Sequence, residues 1–149
     1  MSAAAPLRPG ALYSPALLGL AVELAEYPLI DAMALRGEAR SRSCGSTLVL
    51  GCTTDDEGAI AELGMRVSAC AVGQASAAIF AKQAHGRDAA SLERSLAGID
   101  NWLAGSGERP AWAGLDALDP ALPHPGRHEA IRLPWRAALA ALSKRAPAR

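Results

Sequence analysis

Residues 44–76 read CGSTLVLGCTTDDEGAIAELGMRVSACAVGQAS, and the organisation of the chain is decided there. Ser46 to Thr53 is β-branched and Leu-rich, Asp55-Asp56-Glu57-Gly58 has the chemistry of a turn, and Ala59 to Val67 alternates through Ile60, Leu63 and Met65. That pattern predicts a β-hairpin. Cys44 precedes it and Cys70 follows it, so antiparallel pairing of the two strands returns both thiols to one end of a sheet although they lie 26 positions apart. From Ala71 to His85 the chain is Ala-rich, with Ile79 and Phe80 for a core, until Gly86 supplies a stop. Cys70 therefore stands at a helix N-terminus, where partial positive charge suits a thiolate, the form that acts as nucleophile and as metal ligand.

Upstream, Met1 to Gly10 is small, Pro-containing and aperiodic, and reads as a flexible tail ahead of a single domain over residues 11–149. Ser14 and Pro15 have cap and first-turn chemistry for a helix over about Pro15 to Glu26, with Leu17, Leu18, Leu20, Ala21 and Leu24 on one face. Small and charged residues alternate from Glu38 to Ser43, predicting an edge strand. Downstream, Asp88 caps a helix carrying Leu92, Leu96, Ile99 and Leu103, which Gly105 and Gly107 end. Ser106 to Gly126 is Pro- and Gly-rich around Trp112, Leu115 and Leu118, a packed loop with room for one helical turn. The last helix is expected over about Ile131 to Lys144, with Pro134 tolerable only in its first turn. The order predicts an α+β domain: a small antiparallel sheet of about three strands, with helices packed on one face.

The formal net charge is zero, so there is no basic field to hold a phosphate backbone and nucleic acid is not an expected partner. Apolar stretches such as Ala16 to Leu24 fall short of the roughly 20 residues needed to span a membrane, so no membrane association is expected. The start lacks the apolar core of a secretory signal, which places the three cysteines in a reducing cytoplasm. An odd number of cysteines argues against a disulfide framework and leaves metal ligand, reactive thiol or buried filler as the roles to choose among. Cys52 falls on the same period-two face as Leu48 and Leu50 and reads as core. His85 reads as a helix C-terminal residue, and His124 and His128 as surface residues of the loop before the last helix. The tryptophans and the apolar stripe of the Asp88 helix read as core or interface. No phosphate loop, nucleophile elbow or helical His-Glu zinc motif is present, so no common enzyme signature is found.

Cys44-Gly45, the hairpin, and Cys70 opening a helix that carries Ala75-Ser76 resemble the U-type iron–sulfur scaffold family, the NifU/IscU-like fold. Gly86-Arg87 resembles that family's Gly-Lys step, and LYSPALLGLA from Leu12 its opening helix. The insertion Ser106 to Gly126 followed by PGRHEAIRLPWRAAL is more similar to the sulfur-accepting, SufU-like branch, which is associated with zinc. The resemblance covers about Tyr13 to Leu142, and it departs on ligands. Ser46 stands where the family has Asp, Ala130 where it has its third cysteine, and Glu129 where many relatives have histidine.

The resemblance implies a non-enzymatic scaffold that holds iron or a transient iron–sulfur cluster, [2Fe–2S] in the first instance, through Cys44 and Cys70. His128, Glu129 or a second subunit in a homodimer would complete coordination, since cluster iron accepts thiolate and imidazole. Its implied partners are a cysteine desulfurase and recipient apoproteins. Two alternatives stay open: a persulfide acceptor with optional zinc, and a binding module that keeps the fold without cluster chemistry.

Overall fold

The computed structural model describes residues 13–43 and 45–146; the expected tail, and Cys44 itself, lie outside the described residues. Ser14 caps the first helix, its Oγ accepting the Leu17 N–H at 3.1 Å, and Pro15 opens it. This helix, α1 (Pro15–Glu23), tightens into a single 3₁₀ turn over Leu24–Glu26 before Pro28. Three strands follow, β1 (Leu35–Arg40), β2 (Thr47–Thr54) and β3 (Ile60–Ser68), all antiparallel in the order β1-β2-β3. The turn between β2 and β3 is held by Asp55, whose Oδ1 accepts the N–H groups of Glu57 and Ala59 at 2.9 and 3.0 Å, with Gly58 at φ +87°.

Register sorts the sheet into two faces. Leu35, Cys52 and Leu63 align across it, then Gly37, Leu50 and Met65, then Ala39, Leu48 and Val67. These rows form the inner face, so Cys52 is core, as its period-two position implies. The last helix, α4 (His128–Leu142), lies directly on this face: a Cβ at Gly37 would run into the backbone of Ala137 and Ala141. The outer face carries Glu38, Val49 and Arg66 in one row and Arg36, Gly51 and Gly64 in the next. There the Pro28–Met33 connector crosses the sheet so closely that a Cβ at Gly64 would meet the Pro28 carbonyl, and one at Gly51 would stand 2.5 Å from Leu29 Cδ1.

Two helices complete the inner layer. α2 (Ala71–Gln83) buries most of its small residues, and α3 (Ala89–Leu103) is capped by Asp88, whose Oδ1 accepts the Ser91 N–H at 2.9 Å. Gly86 and Arg87 between them pair with the start of β3: Gly86 N–H donates to Ile60 O and Ile60 N–H to Arg87 O. Phe80, Trp112 and Trp135 pack ring on ring with centroids 5.0–5.6 Å apart, Trp112 Nε1 donates to Ile79 O, and Arg87 stacks over Trp112. The Pro-rich loop folds as a 3₁₀ segment over Leu115–Ala121 and a short turn over Pro125–Arg127.

Two boundaries differ from the sequence reading. The edge strand is Leu35–Arg40 rather than Glu38 to Ser43, because the amides of Arg42 and Ser43 bond to a side chain instead of a strand. The last helix begins at His128, so Pro134 sits inside it rather than in its first turn. Proline there has no N–H for the Ala130 carbonyl four residues earlier, and Ser76 Oγ on α2 donates to the next carbonyl, that of Ile131, at 2.7 Å.

Candidate functional site

The pairing of Thr47 with Ser68 closes one end of the hairpin, and it sets the site. Cys70 comes two residues after Ser68, and Gly45 two residues before Thr47, so the chain leaves β3 and enters β2 side by side. Cys70 is the N-cap of α2, with φ −65° and ψ 171°. Its backbone carbonyl accepts the Gln74 N–H at 3.0 Å, while its thiol makes no capping bond. The residue is half-buried, with part of its surface against the core and the rest open. A thiol at a helix start without a capping duty is available for chemistry.

On the other side of the end stands the turn from β1 to β2. Its Ser41 N–H donates to Ser46 O at 2.8 Å, closing a loop that contains position 44. Glu129, in the first turn of α4, grips this loop. One carboxylate oxygen, Oε2, accepts the Arg42 N–H at 2.8 Å, the Ser43 N–H at 3.2 Å and the Ser41 hydroxyl at 3.3 Å. Ser43 Oγ adds a bond to Gly126 O at 3.0 Å. The amides of Ser43 and Arg42, then the Ser41 hydroxyl and the nearby Arg136 charge, together hold the Glu129 carboxyl below its usual range.

Of the other expected residues, His128 is half-buried beside Glu129, with its ring Nε2 2.9 Å from the Leu122 carbonyl. Ala130 is fully buried and faces the first turn of α2, where a Cβ at Gly73 would lie 3.4 Å from its own Cβ. Ser46 is buried in the turn. The fold thus brings the start of α2, the start of α4 and the β1–β2 turn to one end of the molecule. His85 stands elsewhere, its Nδ1 3.0 Å from Ala61 O at the opposite end of β3. Burial pushes the Cys52 thiol up to about 11, leaving it protonated and inert within the sheet. Among the described residues no three His, Cys, Asp or Glu side chains converge on a point that could hold a metal ion. No helix among them is long and apolar enough to cross a membrane. The residues that sequence reasoning missed are Ser41 and Ser43, which read as strand; no local signal in the sequence marks them as partners of Glu129, 86 to 88 positions away.

No family model matches the chain, and no curated protein matches it. Solved structures do. The chain superposes on a nitrogen-fixing NifU-like protein (N-terminal) from Brucella abortus with a TM-score of 0.80 and 23% identity, covering 89% of this chain and 92% of that one. It superposes on an iron–sulfur cluster assembly scaffold protein for the SUF system from Fervidobacterium islandicum, described as putative, with a TM-score of 0.75 and 22% identity, over 88% and 96% of the two chains. A hypothetical protein of known structure follows at 0.59 and 19% identity, over 86% and 97%. The architecture is therefore the NifU/IscU-like α+β fold.

Proposed function

We propose that this chain is an iron–sulfur cluster assembly scaffold, a binding protein rather than an enzyme, that holds iron or a transient [2Fe–2S] cluster as its cargo through Cys44 and Cys70 and passes it to apoproteins. The observation that carries the reading is the Thr47–Ser68 register, which leads both cysteine-bearing segments out of the same end of the hairpin. The fold shared with a NifU-like protein and with a SUF-system scaffold supports it. Thiolate is the donor that cluster iron prefers, and the Cys70 side chain makes no capping bond at the start of α2.

Two thiolates make half of a tetrahedral set. Within the chain the candidates for the remainder are His128 and Glu129. His128 would have to leave the Leu122 carbonyl, and Glu129 Oε2 its three donors, before either could turn to a metal. Two thiolates from a second copy supply the missing ligands without breaking those bonds, so a cluster shared across a homodimer fits these side chains best. Visible absorbance after anaerobic reconstitution with iron and sulfide tests this: Cys44→Ala and Cys70→Ala should each abolish it, and absorbance equal to wild type in either variant removes the reading.

The open, uncapped position of Cys70 favours a second reading, sulfur acceptance, which needs one thiolate rather than four ligands. A cysteine thiolate of this chain attacks the outer sulfur of a desulfurase persulfide. A new S–S bond forms, the old one breaks, and the desulfurase cysteine leaves as thiolate. Mass spectrometry after incubation with a cysteine desulfurase and cysteine would then show one added sulfur on Cys44 or Cys70; an unmodified mass excludes it. Zinc, if bound, would sit on the same thiolates.

A further inference from the structure

β3 is an edge strand, and other segments bond to its free edge at two points. Met65 N–H donates outward to Tyr27 O at 2.8 Å; toward the start of the strand, Ile60 N–H donates to Arg87 O at 2.9 Å and Ile60 O accepts the Gly86 N–H at 2.8 Å. Between these points Ala61 to Leu63 border a cleft of about 270 Å³, at the end of β3 remote from Cys70. Met33, Ile60, Leu63 and Ala81 supply its apolar walls together with Tyr27. Leu63 lies opposite Cys52 as Met65 lies opposite Leu50, so its N–H and C=O face the same edge as the Met65 N–H. Exposed Glu62 and His85 complete the lining. His85 Nδ1 is 3.0 Å from the Ala61 carbonyl, which can only accept, so Nδ1 carries the proton and Nε2 of the neutral ring is left as an acceptor. Among the described residues Glu62 has no ion-pair partner. The cations at this end of α2 are committed elsewhere, Lys82 to Glu23 at 3.0 Å and Arg87 to the Gln83 carbonyl and the Trp112 ring.

Size and chemistry select an occupant. The open edge is three residues long, roughly 10 Å, and closed by backbone partners at both ends, which is too short for an added peptide strand. A cavity of about 150 Å³ takes benzene, so this cleft has room for one aromatic ring and a short arm. Apart from the Leu63 N–H, the polar groups around it all accept: the Glu62 carboxylate, His85 Nε2 and the Leu63 carbonyl, of which the first is negative. We propose that the cleft is a binding site for a small aromatic amine, its ring against the apolar walls and its ammonium group at Glu62, with His85 Nε2 and the Leu63 carbonyl as further acceptors. The site is separate from the cysteines, and the inference stands whether or not the chain carries a cluster.

Amide-resolved NMR of the full chain, titrated with phenethylamine at mildly alkaline pH and low ionic strength, tests the site. The amides of Ala61, Glu62, Leu63 and His85 should shift and saturate, while those of Leu92 and Ile99 in α3 stay in place. Ethylbenzene, the same ring without the charge, should bind more weakly. Glu62→Gln, at an exposed position, should weaken phenethylamine binding about threefold or more while the rest of the spectrum keeps the wild-type fold. Shifts that never saturate, or that spread equally to Leu92 and Ile99, overturn the site. Equal binding of ethylbenzene, or unchanged affinity in Glu62→Gln, overturns the assignment of an amine.

Discussion

Gly73, in the first turn of α2, and Ala130, in the first turn of α4, face each other so closely that a Cβ on the glycine would lie 3.4 Å from that of the alanine. Cys70 is one turn before Gly73, so Ala130 stands beside the helix start that presents a thiol. A side chain placed at 130 shares that end of the fold with both cysteine-bearing segments.

Ala130→Cys should therefore add a third thiolate to the site. Adding one sulfur to a tightly packed position costs about 1–3 kcal/mol of stability. The expected gain is slower loss of iron to a chelator from the reconstituted variant than from wild type, measured by the decay of visible absorbance. Equal decay would mean that position 130 does not face the cargo.

Gly64 is required by the connector that crosses the outer sheet face. In Gly64→Ala the new methyl meets the Pro28 carbonyl, which is backbone and cannot swing aside. The expected cost is about 1–3 kcal/mol, a drop of several degrees in melting temperature, read by circular dichroism. Gly19→Ala, where nothing lies within 4 Å of the added atom, is the control and should lose no stability.

Ser76→Ala removes the hydroxyl that serves the Ile131 carbonyl inside α4. The carbonyl is buried, so the loss should be about 1–3 kcal/mol by denaturant titration. A neutral result would mean that the Ile131 carbonyl does not depend on the hydroxyl.

Cys52 should show its burial in pH. Its folded value, about 11, lies above the ordinary 9.0, so the folded state keeps the proton longer than the unfolded state. Its contribution to stability is complete below pH 9.0 and is lost as pH rises through about 11. Cys52→Ala should flatten that alkaline fall, and iodoacetamide should label Cys52 in the wild type only on unfolding. Glu129 acts at the other extreme. Its carboxyl is held below the usual range by the Ser43 and Arg42 amides, so its contribution is present above the unfolded value and is lost as pH falls through the folded one. Glu129→Gln should remove that part of the acid transition.

Much of this was legible in residue pattern. The hairpin follows from turn chemistry at Asp55 to Gly58 and from alternation on either side, and the Asp88 helix from its cap and stripe. Both are local signals, and the structure keeps them. The end of β1 was not legible, because Ser41, Arg42 and Ser43 continue the small-charged alternation of the strand. Their N–H groups are diverted by a carboxylate from a distant helix, which no local period encodes. The start of α4 was hidden because Pro134 reads as a helix limit, whereas the helix runs through it from His128 with Ala130, Ile131, Leu133 and Trp135 buried around it. Of the site, sequence located Cys70 at the start of α2, while Cys44 lies outside the described residues and the engagement of Glu129 depends on contacts 86 to 88 positions away.

The central claim is that Cys44 and Cys70 hold the cargo together. Iron and acid-labile sulfide per chain, measured after anaerobic reconstitution and desalting of wild type, Cys44→Ala and Cys70→Ala, test it most directly. The account predicts matched iron and sulfide in the wild type, about one of each per chain for a [2Fe–2S] cluster shared by a dimer, and neither in either variant. Iron and sulfide retained in both variants, or absent from the wild type, would contradict it.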